Sequence, residues 1–250
     1  MKKFTLSTIT CFIALSTSCA NTDYSLKLCL DELKTTHKKR HLTRLKKMAY
    51  QCTKTYPNNA ELFYIRGLFD TEFKNYYKAI LSFKKAIQLN ENNVASYQHL
   101  LSVYLSKQSS IESFQWLIKR LVEKFQDQPA TLLLFVDQFI EYKHIEYSIY
   151  FLKYLIDQKC KSPWMILLKL GEIHYANNNI EKAIQAFEAS LREKPKSSYT
   201  MFCLGKAWLA KGNHKYALSY YQHAKTLGAN QQLLNAMNKD FKLILEFQKK

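Results

Sequence analysis

Glycine and proline are scarce in this chain, five and four in 250 residues. A β-rich fold would consume both in its turns, so their shortage argues against one. Acidic residues are also few: 20 Asp and Glu stand against 37 Lys and Arg, a net charge of +17. Such an imbalance bears on partners rather than on fold, and it fits anionic lipid, an acidic protein, peptidoglycan or nucleic acid. No glycine-rich loop could cradle a phosphate, and no His-Glu-x-x-His or paired-cysteine spacing could hold zinc. His37 and His41 are one helical turn apart, but Lys38, Lys39 and Arg40 lie between them. Three cations suit a solvated basic turn better than a metal site. No nucleophile, base and acid are forced together by spacing. No enzyme activity, metal or cofactor is therefore expected. Beyond the N-terminus no apolar run approaches the roughly 20 residues of a membrane span; Leu132–Val136 is broken by Asp137.

What the chain does have is apolar area and helical period. Hydrophobic residues make up 47% and aromatics 14%, ample for a packed core. In Ile180, Ala183, Ile184, Phe187 and Leu191 the apolar positions recur at three- and four-residue steps, the period of an amphipathic helix. The fold class is expected to be all-α. The first residues, MKKFTLSTITCFIALSTSCAN, place two lysines before an apolar, hydroxyl-rich run and then small residues, the order of a secretory signal. Leu15-Ser-Thr-Ser-Cys19 resembles a bacterial lipobox, which implies a signal peptide over 1–18, lipid on Cys19 and a short tether over 19–25. Cleavage after Ala20, giving a soluble periplasmic protein, is the other reading. Ala20 after the cysteine resembles the sorting pattern for the outer membrane. Export disfavours nucleic acid among the anionic partners.

Self-similarity organises the rest. Phe63, Arg66, Gly67, Ala79, Phe83 and Ala86 share one spacing with Leu167, Leu170, Gly171, Ala183, Phe187 and Ser190, and with Met201, Leu204, Gly205, Ala217, Tyr221 and Ala224. The small position runs Ala79, Ser113, Ser148, Ala183, Ala217, and Pro57, Pro129, Pro163 and Pro195 fall at the boundaries, where helices are expected to stop. The pattern resembles the tetratricopeptide repeat, a helix–turn–helix unit of about 34 residues. The resemblance implies a right-handed superhelical solenoid of five to six repeats. The segments are a divergent repeat at 26–59, repeats at 60–93, 164–197 and 198–229, degenerate repeats at 94–128 and 129–163, and a capping helix at 230–250. Phe83 and Phe187 are expected to pack on the next repeat.

The resemblance also implies a site. First helices of such repeats line an inner groove, which here points to Tyr64, Leu68, Leu133, Leu168, Glu172, Tyr175, Tyr199, Phe202 and Lys206. Apolar and aromatic lining suits an amphipathic helix or an extended hydrophobic peptide. In the family's antiparallel pair Cys29 and Cys52 come near each other, which in an oxidising compartment implies a disulfide; two small buried hydrophobes are the alternative. Cys160 and Cys203 are expected free. Lys38, Lys39, Arg40, Arg44, Lys46 and Lys47 form a basic patch that would meet anionic headgroups or an acidic protein surface. The whole resembles outer-membrane lipoproteins with tetratricopeptide repeats. The expected function is a non-enzymatic envelope scaffold that binds another envelope protein. Its alternatives are a secretin pilotin, a peripheral binder of anionic membranes, and an enzyme with groups converging near Glu172 and His174.

Overall fold

A computed structural model of the chain describes residues 42–107 and 111–248. Among the described residues are twelve α-helices and no strand. No helix there is long and apolar enough to cross a membrane. The chain divides into two compact units, meeting at residues 124 and 125. The N-terminal unit holds α1 (Leu42–Thr55), α2 (Ala60–Glu72), α3 (Tyr76–Leu89), α4 (Val94–Ser106) and α5 (Ile111–Phe125). The C-terminal unit holds α6 (Pro129–Glu141), α7 (Ile145–Asp157), α8 (Pro163–Ala176), α9 (Ile180–Glu193), α10 (Ser198–Ala210), α11 (His214–Thr226) and α12 (Gln231–Gln248). Consecutive helices pair, α2 with α3, α6 with α7, α8 with α9 and α10 with α11. Each unit is thus built of helix–turn–helix repeats, and the fold is an all-α repeat. The first helix expected for residues 26–41 lies outside the described residues.

Starts and turns follow from local chemistry. Asn59, Asn93, Ser197 and Asn213 each accept a bond from a backbone N–H of the helix they precede, at 3.0–3.3 Å, which satisfies a donor the helix leaves orphaned. The turn inside a repeat recurs with one geometry. Lys74, Lys143, Asn178 and Gly212 all adopt positive φ, between 57° and 83°. The next residue then donates its N–H to the carbonyl five positions back, as in Asn75 to Asp70 at 2.7 Å and Asn213 to Trp208 at 2.9 Å. This is the Schellman closure of a helix, which favours glycine or asparagine. Pro129 and Pro163 begin α6 and α8 instead of stopping a helix. At the first helical position the missing N–H has no intrahelical partner to lose.

The repeat spacing has a packing cause. Ala79, Ser148, Ala183 and Ala217 are fully buried; Ser113 lies outside the described side chains. At the three shared glycines the neighbour is an aromatic ring sixteen residues on. A Cβ on Gly67 would meet Phe83 Cε1 at 2.6 Å and Cδ1 at 2.7 Å, too close for real atoms, and Gly171 and Gly205 are tighter still against Phe187 and Tyr221. The phenylalanines therefore fill their own repeat, over its glycine, as well as reaching onward: Phe83 lies 5.8 Å from His99 of α4. In the C-terminal unit α12 closes the last pair. Met237 is 2% exposed, Leu233 and Leu234 pack against the same core, and Asp240 accepts a 2.7 Å bond from the Tyr221 hydroxyl. An uncovered terminal pair would leave that core wet.

Two histidines, His174 buried and His99 half-buried, make stability depend on pH. Burial lowers the pKa of His99, partly offset by its bond to the Ala95 carbonyl, and lowers that of His174, helped by Lys182 and Lys153. The fold holds both neutral, so their contribution is complete above the ordinary value of 6.5 and is lost as pH falls through it. The urea midpoint is expected to drop between pH 7.5 and 5.5, and less steeply in His174→Gln. An unchanged slope in that variant would remove His174 from the account.

Candidate binding groove

The frame that aligns the repeats also aligns the groove residues. Leu133 and Asp137 on α6, Leu168 and Glu172 on α8, and Phe202 and Lys206 on α10 occupy equivalent places, each pair one turn apart. Side chains at i and i+4 share a helix face, so the three first helices of the C-terminal unit turn equivalent faces to one side. Two cavities open there. A larger one of about 530 Å³ is lined by Leu133, Asp137, Trp164, Met165, Leu168, Lys169, Glu172, Lys194, Lys196, Ser197, Ser198 and Tyr199. A smaller one of about 270 Å³ is lined by Glu172, Tyr175, Phe187, Tyr199, Phe202, Cys203 and Lys206. Glu172 and Tyr199 line both, so the cavities adjoin across that pair.

The lining mixes apolar side chains with charges, of which Asp137, Lys169 and Glu172 are tied to one another. The Tyr199 hydroxyl donates to Glu172 Oε1 at 2.9 Å, bridging α10 to α8. Lys169 Nζ contacts Asp137 Oδ1 at 2.6 Å and Glu172 Oε2 at 3.8 Å, bridging α8 to α6. Lys206 Nζ lies over the rings of Tyr175 and Phe202 at 5.6 and 5.8 Å, and Lys194 Nζ over Trp164 at 3.8 Å. Such cations leave their stems on the apolar floor and their heads at the rim. Burial pushes the Tyr199 hydroxyl up from the usual tyrosine range, followed by the neighbouring Cys203 and Glu172. Burial likewise pushes the Cys203 thiol up to about 12, so it is no thiolate nucleophile at neutral pH. Glu172 lines the groove whereas His174 is buried and lines neither cavity. Among the described residues no three His, Cys, Asp or Glu could share a metal ion.

Seven of the nine residues expected in the groove come together here. Tyr64 and Leu68 do not, because they are core, each 5% exposed. The Tyr64 ring packs 5.5 Å from His99 and 6.0 Å from Phe83, so α4 covers the face that is open in the C-terminal unit. Trp164, Met165, Lys169, Lys194 and Lys196 were missed. Met165 holds the repeat position that Tyr199 holds in the next repeat and could have been found by that step. Lys194 and Lys196 sit in a turn, where helical period has no reach. Of the basic patch, Arg44 and Lys47 are exposed on α1, but Lys46 is not available. Its ammonium pairs with the buried Asp70 at 3.2 Å. Lys38, Lys39, Arg40, Cys19 and Cys29 lie outside the described residues. Cys52 is buried and disulfide-bonded, while Cys160 and Cys203 are free and buried.

Fold and groove together define a class: an all-α helix–turn–helix repeat with an open apolar channel along its first helices. Residues 60–93 and 166–197 match the sequence model of the tetratricopeptide repeat. No curated protein sequence matches the chain. Similar solved structures include YrrB, described as a tetratricopeptide-repeat protein with an unusual peptide-binding site (12% identity, 76% of this chain and 97% of that one, TM-score 0.45). Another is pilF of Pseudomonas aeruginosa (15% identity, 73% and 84%, TM-score 0.44). A third is MamA (18% identity, 81% and 91%, TM-score 0.36).

Proposed function

We propose that this chain is a non-enzymatic, protein-binding adaptor of a bacterial cell envelope. The N-terminal signal exports it, lipid on Cys19 holds it at the outer membrane, and the groove of the C-terminal unit holds a segment of another envelope protein. The groove carries the reading. Two adjoining cavities offer apolar floor from Leu133, Leu168, Trp164 and Phe202, with polar groups beside it to set orientation. An amphipathic helix or extended peptide would bury its apolar side chains there. A photo-crosslinking residue in place of Tyr199, which is 44% exposed, is expected to capture one envelope protein in cells. The same residue at Gln185, exposed on α9, should capture none of it. Leu168→Glu should abolish the Tyr199 adduct. Equal capture from Gln185, or an adduct indifferent to Leu168→Glu, would sink the groove as the binding site.

A further inference from the structure

The N-terminal unit carries a second surface, unrelated to the groove. Tyr77 and Leu81 stand one turn apart on α3, 74% and 51% exposed, and Phe73 in the turn before them is 38% exposed. They point away from Ala79, Phe83 and Ala86, which are buried. Cations surround them. Lys74 and Lys78 are exposed. Lys46 Nζ lies 4.5 Å from the Phe73 ring centroid, and Lys78 Nζ lies 5.9 Å from that of Tyr50. The Arg66 guanidinium lies 3.7 Å from the centroid of the same Tyr50 ring. Neither α1 nor α3 contains an acidic residue. The two carboxylates of the last turn of α2 are Asp70, fully buried and bonded to Tyr50 and Lys46, and Glu72. The surface therefore shows a surplus of positive charge beside large apolar side chains.

We propose that this face, Phe73, Tyr77 and Leu81 framed by Lys74 and Lys78, docks on a bilayer rich in anionic phospholipid. Aromatic rings with one polar edge settle at the headgroup level, leucine reaches the acyl boundary, and lysines meet phosphates. Charge favours a bilayer over a protein pocket: Lys74 and Lys78 are exposed beside the apolar residues, which line neither of the two cavities described above. A fluid surface dense in phosphate satisfies scattered ammonium groups without any specific placement. The net charge of +17 adds long-range attraction to such a surface. The lysines of this face belong to α3 and the turn before it rather than to the basic run of residues 38–47.

The test must report from the face itself, because the chain's N-terminal segment could also bind vesicles. An environment-sensitive fluorescent amino acid is placed in the full chain at Tyr77, at Leu81, or at the exposed Gln222 as a control. With vesicles of phosphatidylcholine containing phosphatidylglycerol, emission at positions 77 and 81 should shift to the blue and be quenched by brominated acyl chains. Position 222 should not respond, and pure phosphatidylcholine should give no effect. Lys74→Gln with Lys78→Gln should weaken partition about 25-fold, from about fivefold for each basic residue near an anionic surface, with an unchanged thermal melt. If vesicle-bound protein keeps water-like emission at 77 and 81, the proposal fails. It fails equally if neutral vesicles give the same signal, or if soluble polyglutamate shifts the emission and vesicles do not, which would assign the face to an acidic protein.

Discussion

Phe187→Ala is expected to lower the unfolding free energy of the C-terminal unit by about 3–5 kcal/mol, the usual cost of deleting a buried aromatic ring. Phe187 is 2% exposed and lies directly over Gly171. Removing it leaves a void between two helices that their remaining contacts still hold together, and that void cannot collapse cheaply. The converse substitution isolates the glycine. On helix propensity alone Gly171→Ala would stabilise by roughly 1 kcal/mol. The added methyl overlaps the Phe187 ring, however, and forcing extra carbon into a packed core costs about 1–3 kcal/mol. The overlap should win or cancel, so Gly171→Ala is expected to be neutral to destabilising in spite of its propensity. In a Phe187→Leu background the ring is gone and the alanine should become favourable. Urea unfolding of the four chains gives the coupling directly. Additive effects would mean that the contact between ring and glycine does not set the spacing of α8 and α9.

The same contact recurs at Gly67 with Phe83 and at Gly205 with Tyr221, which is why the repeats were legible at all. A position that tolerates only glycine and a partner that must be large leave a fixed signature in sequence, and the turn at positive φ leaves another. Groove residues on helices were legible for a related reason: equal steps along the chain put Leu133, Leu168 and Phe202 in equivalent places. Tyr64 and Leu68 obey those steps too, yet they are core: the Tyr64 ring packs against His99, whose equivalent in the C-terminal unit is the smaller Cys203. Lys194 and Lys196 enter the cavity from a turn. Period describes a helix face and is silent about what closes over it or approaches from its end.

Asp70→Ala is expected to cost about 3 kcal/mol and to loosen α1 specifically. The carboxylate is fully buried. Its two oxygens share the single proton of the Tyr50 hydroxyl, at 2.9 and 2.7 Å, and it pairs with Lys46 at 3.2 Å and lies 3.9 Å from Arg66 Nε. Tyr50 and Lys46 are one turn apart on α1, and Asp70 belongs to α2, so one side chain ties the divergent first helix to the first regular repeat. Nothing in the sequence announces this, since Asp70 sits 20 and 24 residues from partners inside a run of cations that read as solvated. Breaking a buried pair usually costs about 3–5 kcal/mol, because a charge is left without compensation. Here the low end applies, since Lys46 and Arg66 keep 19% and 25% of their side chains exposed and can turn to water. Tyr50→Phe should cost about 1–2 kcal/mol, below the general range for a bond to a charged group because the site is only partly buried. By contrast, Glu123→Gln, which breaks the exposed pair with Lys119, should change little. Hydrogen exchange separates this from a general loss of stability. In Asp70→Ala the amides of α1 should lose protection while those of α8 to α11 keep theirs, and equal protection in α1 before and after the substitution would show that the buried carboxylate is not what fastens it.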